Sequence, residues 1–528
     1  MKNMKDSTKS FIIDISIVLF ILIIAGIVRL TSLETTPPGF HGDEAYTAQD
    51  AKRILENGFI EPYTGNALGQ PTGPLYVTAL VIRLFGYSIS SVRASMALFG
   101  VASVVLFYIF NRLFFNKTIA LLSTGALGFS LYHIHFSRIA FMLNAAPFFQ
   151  LLSLIFLVLA RRQIHKWHWY FLTGLMAGIG IHSYNTFVIF PPIVFLLLVY
   201  DVVVSKWQKE KLIGMAVFSI SFVIGGFPLL HYMFFHLNDY LQHHRTYAVF
   251  NHYEYVSSHN ALSQFEFIIR NGTQNIKNFY MGNKIDAVDA YGQTYSFHPI
   301  HLALAFMALI AVILPKKILG VTYTEKAKEI FFYARFAIIG LIIIHLSAYL
   351  TFDAFYRRQI LALVFLYFLV SVGIYALYIV TRHRNGFMLI ALTALLTYGA
   401  FSDITTYLNT TGISGSSHWV FASEISSAGK WIVEKAPDSA LIGLYSDRWD
   451  CNFPSFIFHI SQKKCISMNH PDAIKLETLP KNNVVFVLLG DYMEKYPEIV
   501  RQFPLGETHS ISSDYSSQKT TGLVYIVQ

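Results

Sequence analysis

The sequence predicts a membrane all-α protein: a bundle of about eleven transmembrane helices, with interfacial helices on its outer face and a small C-terminal α/β domain. Three observations predict it: a low charge content, apolar runs of membrane-spanning length, and basic loops that recur on one side only. Of 528 residues, 54% are hydrophobic and only 13% are charged, about half the charged share of a soluble domain. The 46 Phe and 31 Tyr suit aromatic belts at two membrane–water interfaces. A formal net charge of +9 does not point to nucleic acid here, because the basic residues sit in short clusters between apolar runs.

Crossing about 30 Å of hydrocarbon takes roughly 20 apolar residues. Such runs lie near 11–31, 92–114, 118–136, 143–161, 169–185, 187–204, 212–235, 299–315, 331–350, 358–380 and 386–407. The first is too long for a cleaved signal peptide, and no small-residue cleavage site follows Leu30, so it is expected to remain as a helix. Segment 74–86 is too short to span and contains Arg83, which predicts a helix lying in the interface.

Threading the chain back and forth puts Lys2, Lys5 and Lys9, then Arg112 and Lys117, on one side. Arg161, Arg162, Lys166, Lys206, Lys209 and Lys211 follow there, as do Lys316, Lys317, Lys326, Lys328, Arg382 and Arg384. Short basic loops mark the cytoplasmic side. The N-terminus is therefore expected inside, and the 32–91 loop, the 237–298 loop and everything after about 410 outside. This divides the chain into a transmembrane part, 1–410, and a soluble extracytoplasmic part, 411–528.

In the second part, 423–436 and 491–502 read as helices, and 440–445, 483–489 and 522–527 as strands. About 110 residues are enough for a separate core. Both cysteines, Cys451 and Cys465, fall here, on the side where disulfides form. They are either bridged or two buried free thiols. No Cys/His zinc spacing, Walker loop, GxGxxG, HExxH, GxSxG or DxD device is present, which argues against direct nucleotide handling.

The outer loop PPGFHGDEAY (Pro37–Tyr46) carries the most chemistry. After a Pro-Pro-Gly turn, Asp43 opens a predicted helix running to about Asn57, stopped by Gly58, with Ala48, Ala51 and Leu55 as its apolar stripe. Asp43 suits an N-cap and Glu44 a first-turn charge. The same pair at the outer membrane face also suits a general base, since a partly desolvated carboxylate has a raised pKa.

PPGFHGDEAYTAQDAKRILENG, then YTGNALGQPTGPLYVTALVIRLFG, then SVRASMALFG resembles the first outer loop of polyprenyl-phosphate-sugar-dependent glycosyltransferases. That family includes protein O-mannosyltransferases and lipid A aminoarabinose transferases, and its fold is the GT-C bundle. The resemblance extends to HIHFSRIAFMLNAAPFF and GIGIHSYNTFVIFPP and covers roughly 10–410; the tail is outside it. In that family the Asp of the Asp-Glu pair is the catalytic base, which implies that role for Asp43. Glu44 is expected to orient the acceptor or to tune Asp43 by like-charge repulsion. The implied reaction is attack of an acceptor hydroxyl on the anomeric carbon of a lipid-phosphate sugar, with inversion.

Arginine forks can neutralise the leaving phosphate, so no metal is obligatory and none is indicated. The outward candidates are Arg138, Arg245, Arg357 and Arg358. Arg357-Arg358 is the preferred clamp, because a cation pair at a helix start is otherwise poorly placed against the helix dipole; headgroup snorkelling is the plainer explanation. Arg138 also suits an anchor for the loop between helices three and four. Gln70 stands before Pro71 where lipid A relatives carry a basic residue, a departure that bears on donor binding. Tyr46, Tyr184 and Asn185 suit sugar binding or interface packing, Arg245 and Tyr247 stand out in the 237–298 loop, and Asn66 reads as a turn residue. His41, His133, His135 and His182 read as structural histidines rather than metal ligands.

The expected partners are a polyprenyl-phosphate-linked hexose or pentose donor, an extracytoplasmic glycan, lipid or protein acceptor, and the bilayer, at a bacterial plasma membrane. The alternative is a polytopic lipid or glycan flippase or transporter. Such proteins show half-repeats and charges near the bilayer midplane. No repeat is visible here, and Asp14 and Asp353 make no convincing ion path.

Overall fold

The computed structural model describes residues 16, 18–258, 260–282, 295–314, 324–352, 356–381, 385–411, 414–461, 463–469, 476–513 and 516–527. Lys2, Lys5, Lys9, Asp14, Lys316, Lys317, Asp353, Arg382 and Arg384 lie outside them.

Among the described residues, each of the eleven apolar runs contains helix. Seven helices are long and apolar enough to cross a membrane: Ile89–Phe114, Met142–Arg162, Asn185–Val204, Lys209–Phe235, Glu325–Leu350, Ala362–Val380 and Gly386–Thr410. The run near 118–136 is broken, with Lys117–Gly128 and Leu131–Arg138 meeting at 56°; counted as one span, it brings the total among the described residues to eight. The remaining runs give shorter helices, Val18–Leu30, Pro299–Ile313 and the 14-residue Trp167–Gly180. The expected eleven transmembrane helices are thus not matched by eleven full-length spans: among the described residues these number seven or eight.

The break is held from both sides of Ser130. Ser130 leaves helical geometry and turns its hydroxyl back to the Leu127 carbonyl (3.0 Å). Asp403 then accepts the freed amide of Leu131 at 3.0 Å, satisfying one of the amides left open at the start of the second helix. Elsewhere small residues bring helices together. A Cβ on Gly178 would lie 2.3 Å from the Phe222 carbonyl oxygen, so only glycine lets Trp167–Gly180 pack this closely on Lys209–Phe235.

The loop after the first apolar run folds over one end of the bundle. Gly42–Asn57 is a helix closed by Gly58 in the left-handed conformation. Tyr63–Thr64 (β1) and Gln70–Pro71 (β2) form a short antiparallel ribbon, and Leu75–Phe85 is an 11-residue helix. At 1.5 Å per residue it spans only about 16 Å, and it leaves Leu80, Leu84 and Phe85 exposed.

The C-terminal part is a five-stranded sheet of order β4-β3-β5-β7-β6. β3 (Leu441–Tyr445) lies parallel to β4 (Cys465–Ser467) and to β5 (Val484–Leu489). β7 (Ser516–Val527) runs antiparallel to both β5 and β6 (Gly506–Ser513). All six residues of β5 are buried, as a continuous apolar run in a central strand requires. β4 and β6 had no apolar signature in the sequence. The predicted 491–502 helix is a 3₁₀ turn followed by Tyr496–Gln502. Cys451 and Cys465 are bridged, with Cα atoms 5.6 Å apart.

Candidate active site

The Gly42–Asn57 helix is capped by His41 rather than by Asp43. The Asp43 amide donates to His41 Nδ1 (3.0 Å), and the His41 amide donates to Glu44 Oε2 (3.0 Å). This reciprocal box satisfies two orphan amides. It also leaves the Asp43 carboxylate with no capping duty. The inward stripe is Ala45, Ala48, Ala51 and Ile54, while Leu55 is 39% exposed.

Adjacent carboxylates on this helix then part. The Asp43 side chain is 36% exposed and its Oδ2 lies 3.8 Å from Arg357 Nη1. Glu44 is fully buried, taking Arg93 Nε and Nη2 at 2.8 Å each and the Ala140 amide at 2.8 Å. Arg93 is likewise 0% exposed and also donates to the carbonyls of Leu33, Pro37 and Gly39. Glu44 is thus the anchor of the loop and lies outside the cavity wall. An acceptor-orienting role does not fit a side chain whose lone pairs are already taken.

Asp43 opens into a cavity of about 340 Å³, within the usual range for small-ligand sites. Its wall brings together residues from six separate stretches. Asp43, Tyr46 and Thr47 come from the first-loop helix, and Gly65–Gln70 from the ribbon turn. Phe141–Leu143, Tyr184 and Asn185, and finally His243, Tyr247, Arg357 and Arg358 complete it. Four expected substrate groups, Tyr46, Gln70, Tyr184 and Asn185, are therefore neighbours of Asp43 and of both preferred arginines.

The arginines are held by aromatic faces. Arg358 sits 3.8 Å above the Tyr247 ring and donates to the Phe352 carbonyl at 3.4 Å; Arg357 lies 5.4 Å from the Phe141 ring. Such stacking fixes a guanidinium through its flat face. Asn185 donates to the Gly69 carbonyl (2.8 Å), and Asn66 donates to Asp50 Oδ1 (2.9 Å), which also accepts from Arg53 at 3.0 Å. Asn66 is thus a wall residue with its turn tied to a fully buried carboxylate, more than the turn residue it resembled.

Two expected phosphate partners lie elsewhere. Arg138 is fully buried and donates to the carbonyls of Val28, Ser32 and Thr36, with the Tyr407 ring 5.4 Å away. It braces the exit of the Val18–Leu30 helix, since a buried cation settles where it finds several carbonyls. Arg245 is exposed, donates to Asn238 at 3.3 Å and stands outside the cavity wall.

Among the wall residues with no sequence-predicted role, the titratable one is His243, on the Leu237–Thr246 helix. Burial pushes its pKa down to about 3; Arg358, His244 and Arg357 push the same way and Asp43 opposes them. It is therefore a neutral imidazole near pH 7. A signal existed: His243 precedes Tyr247 by four residues, which puts both on one helical face. Thr47 likewise follows Asp43 by four.

The tail closes the loop from above. The Phe40 amide donates to the Phe421 carbonyl (2.7 Å), and the Ser455 hydroxyl donates to the Phe40 carbonyl. Phe40 packs on Phe458 with centroids 4.6 Å apart, and the His41 ring meets Phe421 edge-on at 6.1 Å.

These features define a polytopic membrane protein whose bundle presents a polar, arginine-bearing cavity under a first outer loop, with a small domain seated on that loop. Comparison gives the relatives. Residues 69–225 match the family model described as dolichyl-phosphate-mannose-protein mannosyltransferase. Among solved structures, ArnT from Cupriavidus metallidurans bound to undecaprenyl phosphate matches with a TM-score of 0.55 at 13% identity, over 96% of this chain and 97% of that one. The apo state of the same ArnT gives 0.54 at 14% identity, covering 98% of each chain. An Archaeoglobus fulgidus oligosaccharyltransferase in the apo form gives 0.49 at 12% identity, over 95% of this chain and 75% of that one. No curated protein matches the sequence. The fold is that of ArnT, and this likeness of fold runs over 96% of the chain.

Proposed function

We propose that the protein transfers a sugar from a polyprenyl-phosphate monosaccharide to an acceptor hydroxyl outside the cytoplasm, with Asp43 as general base. The observation that carries this is the meeting, in one cavity wall, of an uncapped carboxylate and two arginines, Asp43 Oδ2 lying 3.8 Å from Arg357. In the step, the acceptor oxygen forms a bond to the anomeric carbon while Asp43 takes its proton. The bond from that carbon to the phosphate oxygen breaks, and the electron pair leaves with the polyprenyl phosphate. Arg357 and Arg358 neutralise the charge that develops there, which suits transfer without an obligatory metal. Attack from the face opposite the phosphate inverts the anomeric centre. Gln70, Tyr46, Tyr184 and Asn185 are the sugar-side contacts in this reading, and the setting is a plasma membrane with the N-terminus cytoplasmic.

The test is transfer from radiolabelled polyprenyl-phosphate monosaccharides to extracted envelope, comparing wild type with Asp43→Asn in detergent. Asn keeps the shape but cannot take a proton. Transfer by wild type that collapses in a folded variant supports the assignment. Full activity in the variant removes Asp43 from the reaction. No transfer from any carrier, with carrier translocation in vesicles, would turn the reading toward a flippase.

A further inference from the structure

The C-terminal domain does more than sit on the bundle: it holds the residue three places before the proposed base by both of its backbone groups. Phe40 donates its amide to Phe421 and accepts at its carbonyl from Ser455. Ser455 is fully buried, so the Phe40 carbonyl has no water to fall back on if that hydroxyl is lost. The preceding residue is pinned as well. Gly39 has φ +71, and a Cβ there would lie 2.4 Å from the Phe421 carbonyl oxygen and 2.6 Å from Ser423 Cα. From below, Arg93 grips the carbonyls of Pro37 and Gly39 at 2.7 and 2.9 Å. His41, which caps the helix and receives the Asp43 amide, follows directly.

We propose that Ser455 and the Phe421 backbone are positioning elements, by which the C-terminal domain sets the place of Asp43 relative to Arg357. The inference rests on the transferase reading for its catalytic consequence, but the clamp itself is readable without it. The domain thereby makes the active loop depend on a part of the chain that the matched family segment, 69–225, does not include.

The experiment uses the full chain in detergent, with Ser455→Ala and Ser455→Thr, and with Lys430→Ala as a docking control. Lys430 meets Glu34 at 3.5 Å at the edge of the same junction without touching Phe40. Positioning predicts that Ser455→Ala lowers kcat about ten- to a hundred-fold, the size expected of a misplacement near 1 Å. Donor KM should stay within about two-fold, because the arginines are held by Tyr247 and Phe141. Hydrogen exchange should quicken in the 40–46 segment alone, and Ser455→Thr, which restores the hydroxyl, should recover both readouts. Wild-type kcat and exchange in folded Ser455→Ala, or equal losses in Lys430→Ala, would overturn the proposal. If Ser455→Ala does not fold, Ser455→Cys, a weaker donor in the same place, is read by the same criteria. If neither wild type nor any variant transfers sugar, exchange alone decides: quickening confined to 40–46 keeps the clamp and removes only the transferase reading, and unchanged exchange removes the clamp.

Discussion

Two carboxylate–guanidinium pairs lie within one turn of the first outer loop, and they are built to opposite ends. Glu44–Arg93 is sealed, with both side chains 0% exposed and further hydrogen bonds to backbone groups of the loop and its neighbour. Asp43–Arg357 is open, at 36% and 18% exposure and 3.8 Å, on the wall of a cavity. A sealed pair holds geometry, because removing either partner strands a charge. An open pair is long enough to be parted by a ligand. Adjacent residues thus divide the work, and the division comes from helix geometry, since successive side chains on a helix point about 100° apart.

The sharpest way to break this comparison is to neutralise each carboxylate in turn. Asp43→Asn should lower transfer by about 10²–10⁴-fold, the usual contribution of a general base, with thermal stability within about 1 kcal/mol of wild type, since His41 makes the cap. Glu44→Gln should do the reverse in kind, costing about 3–5 kcal/mol of stability by leaving Arg93 uncompensated. Differential scanning of both variants, beside transfer rates, reads the two effects. A stable but inactive Glu44→Gln would put Glu44 back into the chemistry and erase the contrast.

Much of this was legible before the structure, and what was not has physical reasons. The helical runs were plain because every lipid-facing residue repeats the same apolar signal. The number of full spans was not, because the break at Ser130 depends on Asp403, far away in sequence. β5 was visible as a buried central strand; β6, THSIS and its flanks, is polar on an edge and sends no such signal. At the site, Asp43, Asn185 and the Arg357-Arg358 pair could be nominated from loop position, whereas Gln70 and the role of Asp43 as base came through the family resemblance. The separation of Asp43 from Glu44 could not, because it turns on which residue caps the helix, and His41 is an unusual cap. Arg138 and Arg245 looked like Arg357 in sequence; only packing shows one among carbonyls and the other in solvent.

The next test sharpens the open pair. Arg358 stacks on Tyr247 and Arg357 faces Asp43, so lysine at either place keeps the charge but loses the planar fork. Arg358→Lys is expected to raise donor KM about ten-fold, close to 1.4 kcal/mol, with a smaller rise for Arg357→Lys, whose partner Asp43 also tolerates a point charge. If the arginines supply the phosphate-side charge, as proposed, a chelator should leave the rate of wild type unchanged. A rate abolished by chelation and restored by a divalent cation would move that role to a metal.

The smallest effect concerns His243. Its pKa falls from the ordinary 6.5 to about 3 on folding, so between those values the unfolded chain binds a proton that the folded chain refuses. Stability from this group is therefore full above about pH 6.5 and declines as the pH falls toward 3. Replacing it with an uncharged side chain of similar reach, His243→Gln, removes that one contribution. The variant should match wild type in its pH dependence above 6.5 and lose less stability than wild type between about pH 6 and 4. The same neutral imidazole faces the open pair, so wild-type transfer should show no limb from His243 between about pH 5 and 8. Parallel stability curves for the two proteins, or a rate limb near the ordinary histidine pKa that His243→Gln abolishes, would mean the imidazole titrates in the folded protein and that the cavity is wetter than its packing indicates.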